Sequence, residues 1–201
     1  KKMNIIWHGH SCFEITGKDG TIVFDPYQAN SVPGLNSLKL KANLVLCSHE
    51  HDDHNARNCV EVAPKDFKVT CIETYHDHHQ GSHRGKNTIH IVDFEDLKVV
   101  HMGDIGCMMD DISKLKNCDV LMIPIGGYYT IDTKEALKYI ERIQPRIVIP
   151  MHYCSHEFGY DVLSTNEGFI QKSSNIVYVD DYLEVHKETK GQTIVFKKPR
   201  N

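Results

Sequence analysis

The stretch SHEHDDHN, residues 48–55, sets three histidines, two aspartates and a glutamate directly after the apolar run LVLC of residues 44–47. An unalternating apolar run of that length reads as a strand covered on both faces. The fold must therefore deliver the end of a buried strand to a cluster of protonatable groups. On an extended segment, residues i and i+2 face the same side, so His49 and His51 can present their imidazoles to one point. On a helix that spacing would splay them. Asp53 and His54 follow as the chain turns and can address a second point close by. A merely solvated loop has no need of these residue types at fixed offsets behind a buried strand.

The same arrangement recurs downstream. Strands are expected at 3–7, 11–16, 21–25, 43–48, 67–75, 87–94, 97–103, 119–125 and 146–152, with GKDG at 17–20 supplying hairpin turn chemistry. His76, Asp104 and His152 each stand at the C-terminal end of one of these strands, and parallel strands would bring them to one edge. Between the last two strands, DTKEALKYIERIQP reads as a helix. Asp132 is its N-cap with Glu135 three residues on, Ala136, Leu137, Ile140 and Ile143 share a face, and Pro145 stops it. Further helices are expected near 55–63, 110–117 and 164–173, the last opened by Ser164 with Glu167, and NIVYVDD, YLEVHK and QTIVFKK read as terminal strands. A meander followed by strands alternating with helices implies an α/β fold, two sheets between helix layers, in a four-layer αββα sandwich. Across 201 residues there is no solenoid repeat, linker or low-complexity tract, so a single domain is expected over 1–201.

Charge and cysteine usage narrow the function classes. A net charge of −4 disfavours a nucleic-acid backbone as partner, and the basic groups HRGK (83–86) and KKPR (197–200) are short. The longest apolar run, VLMIPI at 120–125, has the length of a strand and falls far below the ~18 residues of a membrane helix. No membrane partner is expected. The N-terminal KKMNIIWHGHSC turns polar too early to read as a secretory leader. The seven cysteines are odd in number and lack a C-x-x-C pair, so they do not read as a disulfide framework, and a reducing cytoplasm is the expected compartment.

A closed zinc site takes four ligands, whereas a catalytic one keeps a position for water. Two ions sharing a hydroxide need six or seven protein ligands, and the strand ends supply candidates in that number. Imidazole and carboxylate donors suit Zn, Mn, Fe or Ni without any thiolate. Zinc or manganese is preferred.

Taken together, SHEHDDHN, YHD (75–77), HMGDIG (101–106) and MHY (151–153) resemble the metal-binding series of the metallo-β-lactamase superfamily. WHGHSCFEI (7–15) and PIGGYYTID (124–132) look like its small stand-alone Zn-dependent hydrolases, akin to ascorbate-6-phosphate lactonases. The resemblance spans roughly residues 3–155. It implies two divalent ions, the first held by His49, His51 and His76, the second by Asp53, His54 and His152, with Asp104 bridging them. It also implies hydrolysis of a lactone, amide or phosphoester bond in a small molecule by a hydroxide shared between the ions, with Asp53 orienting that hydroxide and receiving its proton.

Several neighbours carry weaker expectations. Glu50 and Asp52 alternate away from the site and read as solvent-facing or capping residues. His78, His79 and His83 lie in a polar loop that is either surface or substrate contact. In the same loop, Arg84 and Lys86 are candidates for a substrate phosphate or carboxylate, while Tyr128, Tyr129 and Thr130 are candidate pocket walls. His10 is a candidate substrate contact or support for the ligands, and His101 is expected to pack against or orient Asp104. His8, His90, His156 and His186 show no pattern, and Cys107 and Cys154 read as buried thiols. Three other readings compete. A di-iron electron-transfer protein would carry glutamate where His51 stands, and a nuclease of the superfamily would need an additional RNA-clamping domain. A metal-binding sensor or interaction module without turnover is the third, because ligands alone do not establish catalysis.

Overall fold

In the computed structural model, which describes residues 1–201, β1 (Lys2–Gly9), β2 (Cys12–Gly17) and β3 (Gly20–Phe24) form an antiparallel meander. Its period of two separates the side chains into two populations. Phe13, Ile15, Ile22 and Phe24 enter the main core, while Cys12 and Val23 face a second cluster with Tyr27, Val32, Leu35 and Leu38. That second cluster is roofed by the long segment after β3 and by a two-stranded parallel sheet of β4 (Leu40–Ala42) and β6 (Val60–Val62). β5 (Leu44–Leu46) runs parallel to β3, and β13 (Tyr182–His186) pairs antiparallel with β1 to complete the first sheet.

The second sheet has the order β12 (Ile176–Val179), β14 (Gln192–Phe196), β11 (Ile147–Met151), β10 (Val120–Pro124), β9 (Leu97–His101), β8 (Lys86–Phe94), β7 (Lys68–Tyr75). β10 and β11 are buried along their whole length, as their continuous apolar sequences require. The 37-residue core draws on both sheets, which therefore pack face to face. β9, β10 and β11 are parallel, and β8 is antiparallel to both β7 and β9, so β7 points the same way as they do. The C-terminal ends of β7, β9 and β11 consequently share one edge, and the residues just beyond them include His76, Asp104 and His152.

α1 (Thr133–Ile143) has the full capping box: Asp132 accepts from the Glu135 N–H, and Glu135 accepts from the Asp132 N–H. It buries Ala136, Tyr139 and Ile143 against the core and ends at Gln144, which is left-handed (φ 53°) before Pro145. α2 is shorter than expected, Glu167–Gln171, and follows Asn166 instead of starting at Ser164. None of the helices is long and apolar enough to cross a membrane.

Two expected helices are absent. Over 55–63 a single 3₁₀ turn (Arg57–Cys59) gives way to β6, because Val60 and Val62 are β-branched and find β4 as a partner. Residues 113–117 form turns only, ending at left-handed Asn117; Leu115 alone anchors them, and Asp, Ser and Asn side chains compete with helical hydrogen bonds. The α/β sandwich of two facing sheets stands, but irregular chain and a small sheet cover the outer face of the first sheet in place of the expected helix layer. β5 also differs from the reading as a strand buried on both faces, since Leu44–Leu46 are all half-buried.

Candidate metal centre

β5 stops at Leu46, so the convergence of His49 and His51 does not come from strand period. Residues 48–54 are a tight bend, closed by the His54 N–H donating to the His51 carbonyl at 2.9 Å. The bend turns the rings of His49 and His51 edge to face, 4.7 Å apart, and sets both near His76, at 4.7 and 5.1 Å. Glu50 points outward to Arg57, and Asp52 is exposed.

The bend is held by Asp25, which follows β3 in a left-handed conformation (φ 46°) and is completely buried. Its Oδ1 accepts the Ser48 N–H at 2.7 Å; its Oδ2 accepts the Ser48 hydroxyl at 2.6 Å and His54 Nδ1–H at 2.8 Å. Burial favours the neutral acid, yet the His101 and His54 imidazoles beside it hold the carboxyl down at about 2. Two tautomers follow. An ionised carboxylate only accepts, so Ser48 must donate to it and can only accept from His49 Nδ1, 2.8 Å away. His49 and His54 both carry their proton on Nδ1 and turn the lone pair of Nε2 inward.

Asp104 is the focus of the cluster. Its N–H donates to Asn87 Oδ1 at 2.8 Å, and Asn87 is held in turn by Thr74 and the Met102 carbonyl. Asp104 Oδ2 lies 2.9 Å from His54 Nε2, 3.1 Å from His76 Nε2, 3.2 Å from His152 Nε2 and 3.5 Å from His49 Nε2. Asp53 Oδ2 lies 3.0 Å from His54 Nε2, 3.8 Å from His152 Nε2 and 2.9 Å from His10 Nε2. Donor atoms form three overlapping groups, each within 4.8 Å: His49–His51–His76, His10–Asp53–His54–His152, and Asp25–His49–His54, the last being the brace of the bend.

The donor chemistry fits divalent cations. His49 Nε2, His54 Nε2 and Asp104 Oδ1 are buried with no hydrogen-bond partner in the protein, and such buried lone pairs fit a divalent cation. Burial keeps His49 neutral by lowering it to about 3, whereas at His152 burial is outweighed by Asp104 and Asp53, which raise it to about 9. Divalent ions at the cluster would supply positive charge while leaving the ligating imidazoles neutral.

The cluster floors a cavity of about 380 Å³ lined by His51, Asp53, His76 and Asp104 below and His83, Arg84, Tyr129 and Tyr160 around the walls. All seven expected ligands come together here, and His10 joins them through Asp53. Of the expected substrate contacts, Arg84 and Tyr129 line the cavity. Lys86 does not: it is the first residue of β8, points outward and pairs with Glu73 at the surface, 3.7 Å away. Tyr128 is left-handed (φ 58°) and exposed, stacked edge-on to Tyr129, and the Thr130 hydroxyl donates to the Ile131 carbonyl; neither lines the cavity. His101 stacks on Phe24, accepts the Gly103 N–H and donates to the Ser11 carbonyl, steadying the turn that carries Asp104. Sequence reasoning missed Asp25 and Tyr160. Asp25 showed the same signal as the ligands, an acid closing an apolar strand; Tyr160, in EFGYD, showed none.

The chain is similar to known proteins along most of its length. Residues 4–152 match the family model described as "Beta-lactamase superfamily domain". UPF0173 metal-dependent hydrolases from Staphylothermus marinus and Natranaerobius thermophilus are 31% and 30% identical; the alignments cover 72% and 75% of this chain and 81% and 83% of theirs. A metallo-β-lactamase superfamily protein from Thermotoga maritima superposes with a TM-score of 0.77 at 26% identity, over 96% of this chain and 98% of that one. Igni18, a metallo hydrolase from Ignicoccus hospitalis, shares the fold at 20% identity and a TM-score of 0.60, over 86% and 90% of the two chains. The family model matches most of the chain and the relatives are 30–31% identical over most of its length: the protein belongs to the beta-lactamase superfamily, among the UPF0173 metal-dependent hydrolases.

Proposed function

We propose that the chain hydrolyses a lactone, amide or phosphoester bond of a small molecule, with two divalent ions, zinc for preference, at the paired donor groups. His49, His51 and His76 would hold one ion and Asp53, His54 and His152 the other, with Asp104 available to both. The observation that carries this reading is the convergence of four imidazole Nε2 atoms on one carboxylate oxygen, Asp104 Oδ2, at the floor of an open cavity. When bound, such ions supply Lewis acidity and lower the pKa of water toward neutrality.

The chain's own residues do the rest. Asp25 and Ser48 fix the tautomers of His49 and His54. Asp53, on the cavity floor, takes the proton released as water attacks, and His10 holds its Oδ2 in place. Tyr129 and Tyr160 wall the substrate and narrow water's access. No serine or cysteine nucleophile is needed. The protein is a metal-dependent hydrolase of the metallo-β-lactamase superfamily, and its seven unpaired cysteines suit a reducing cytoplasm.

The test combines elemental analysis with a panel of lactones, amides and phosphodiesters. The expected result is two metals per chain and hydrolysis lost in His51→Ala and Asp53→Ala. Absence of metal after reconstitution, or activity that survives both substitutions, would refute the site.

A further inference from the structure

The cavity contains one cation that nothing in the protein neutralises. The chain has five arginines. Arg57 pairs with Glu50, Arg146 with Asp119 and Arg200 with Asp181, and Arg142 donates to the carbonyls of Met109 and Asp110. The Arg84 guanidinium has neither a carboxylate within ion-pair distance nor a carbonyl to donate to. It lies instead over two aromatic rings, 5.5 Å from the centroid of Tyr129 and 6.0 Å from that of Tyr128. Ring faces attract the cation and hold its plane while leaving its five N–H donors free.

Arg84 is also held close to the ligand cluster. The His76 N–H donates to the Gly85 carbonyl at 3.0 Å, closing residues 77–84 into a loop whose neck carries a ligand on one side and Arg84 on the other. Inside the loop, the buried Asp77 carboxylate accepts four backbone N–H groups, from His79, Gly81, His83 and Arg84, at 2.7–3.0 Å. The loop is thereby built from within, and it places His83 and Arg84 in the cavity wall above His51, His76 and Asp104.

We propose that Arg84 is the anchor of an anion subsite, and that the substrates are small molecules carrying a carboxylate or phosphate beside the bond to be cleaved. This rests on the hydrolase reading above. A planar guanidinium matches such oxyanions through two parallel N–H···O bonds, which an ammonium cannot reproduce. A cavity of about 380 Å³ has room for a small molecule, and Tyr129 and Tyr160 supply the apolar wall for its remainder.

The test is calorimetric titration of the metal-loaded protein with inorganic phosphate, with succinate and with neutral dimethyl succinate, for wild type, Arg84→Gln, Arg84→Lys and Lys86→Ala. Equal metal content and circular dichroism establish that the variants are folded. Losing a charge-assisted pair predicts that Arg84→Gln weakens binding of at least one anion roughly tenfold or more, with Arg84→Lys intermediate and Lys86→Ala within about twofold of wild type. An effect on phosphate alone assigns a phosphate subsite, and an effect on succinate alone a carboxylate subsite. The proposal is overturned if wild type binds neither anion, if Arg84→Gln binds both like wild type, or if dimethyl succinate responds equally. Hydrolysis is read separately on 4-nitrophenyl acetate and mono-4-nitrophenyl succinate. A protein that binds anions through Arg84 but cleaves neither these esters nor the panel above keeps the subsite and loses the hydrolase reading. One that cleaves, while Arg84→Gln binds both anions normally, loses only the subsite.

Discussion

His10 Nε2 sits 2.9 Å from Asp53 Oδ2, joining residues 43 apart in sequence at the centre of the site. His10 is buried on the turn between β1 and β2 with a left-handed backbone (φ 54°), and its ring lies 4.1 Å from that of His152. Burial lowers its pKa to about 4 despite the Asp53 carboxylate, so the ring is neutral and Nε2–H donates. The left-handed backbone at His10 is held in place by the turn and by this buried contact.

The first prediction follows from that contact. Removing a hydrogen-bond partner of a ligating carboxylate lowers metal affinity by about 10–100-fold. His10→Ala should therefore weaken the ion assigned to Asp53, His54 and His152 by that factor and leave the one at His49, His51 and His76 near its wild-type affinity. Metal titration against a competing chelator reads the two affinities apart, and unchanged binding at both positions would remove His10 from the site.

The second prediction concerns two glycines packed on ligand backbones. A Cβ at Gly106 would fall 2.3 Å from the His76 carbonyl carbon and 2.4 Å from the Asp77 nitrogen; one at Gly126 would fall 2.1 Å from the His152 oxygen. These are backbone atoms and cannot rotate away. Gly106→Ala and Gly126→Ala should each destabilise the fold by about 1–3 kcal/mol, the usual penalty of overpacking. Each should also drop the metal content from two toward one, through His76 in the first case and His152 in the second. Wild-type stoichiometry in both variants would show that the strand ends adjust without moving their ligands.

What could be read from the sequence, and what could not, has a physical pattern. The residues that converge were legible because polar residues closing apolar strands are anomalous, and parallel strands gather such residues at one edge. The local cause was misread for His49 and His51, since a bend braced by Asp25 replaces the expected strand. Asp25 escaped notice because an acid at the end of TIVFD could as well have been turning to solvent; only the fold puts Ser48 and His54 against it. Arg84 and Lys86 looked equivalent in HRGK, yet the strand register begins at Lys86 and turns it to Glu73, while Arg84 remains in the loop. The segments at 55–63 and 110–117 failed as helices because short, weakly periodic stretches are decided by tertiary partners.

The third prediction is a pH dependence at His90, a buried histidine of β8 outside the ligand set. Burial, reinforced by the His101 imidazole and opposed by Asp25, lowers its pKa from 6.5 to about 4. The folded value lies below the unfolded one, so the unfolded chain takes up the proton first as pH falls. The associated stability is complete above pH 6.5, declines from there to about pH 4 and is gone below it. A gap of that size corresponds to about 3 kcal/mol. In urea unfolding of chelator-treated protein, His90→Leu should flatten the stability profile across that window relative to wild type. Parallel profiles for the two proteins would contradict the assignment.

The fourth prediction separates the loop from the metal site. Asp77 is buried, which alone would raise its carboxyl, but the four backbone N–H donors outweigh burial and hold it well below the usual carboxylate range. Asp77→Asn is isosteric, yet in either amide orientation an NH₂ group faces two of those N–H donors, so two hydrogen bonds are replaced by donor–donor contacts. Amide exchange at His79, Gly81, His83 and Arg84 should then quicken roughly tenfold or more as the loop opens locally. His76 keeps its own N–H bond to the Gly85 carbonyl, so two metals should remain bound. The Arg84-dependent preference for anions should weaken even though Arg84 itself is intact. Exchange rates and anion affinities equal to wild type would mean that the loop is held by its glycine turns and not by the carboxylate at its centre.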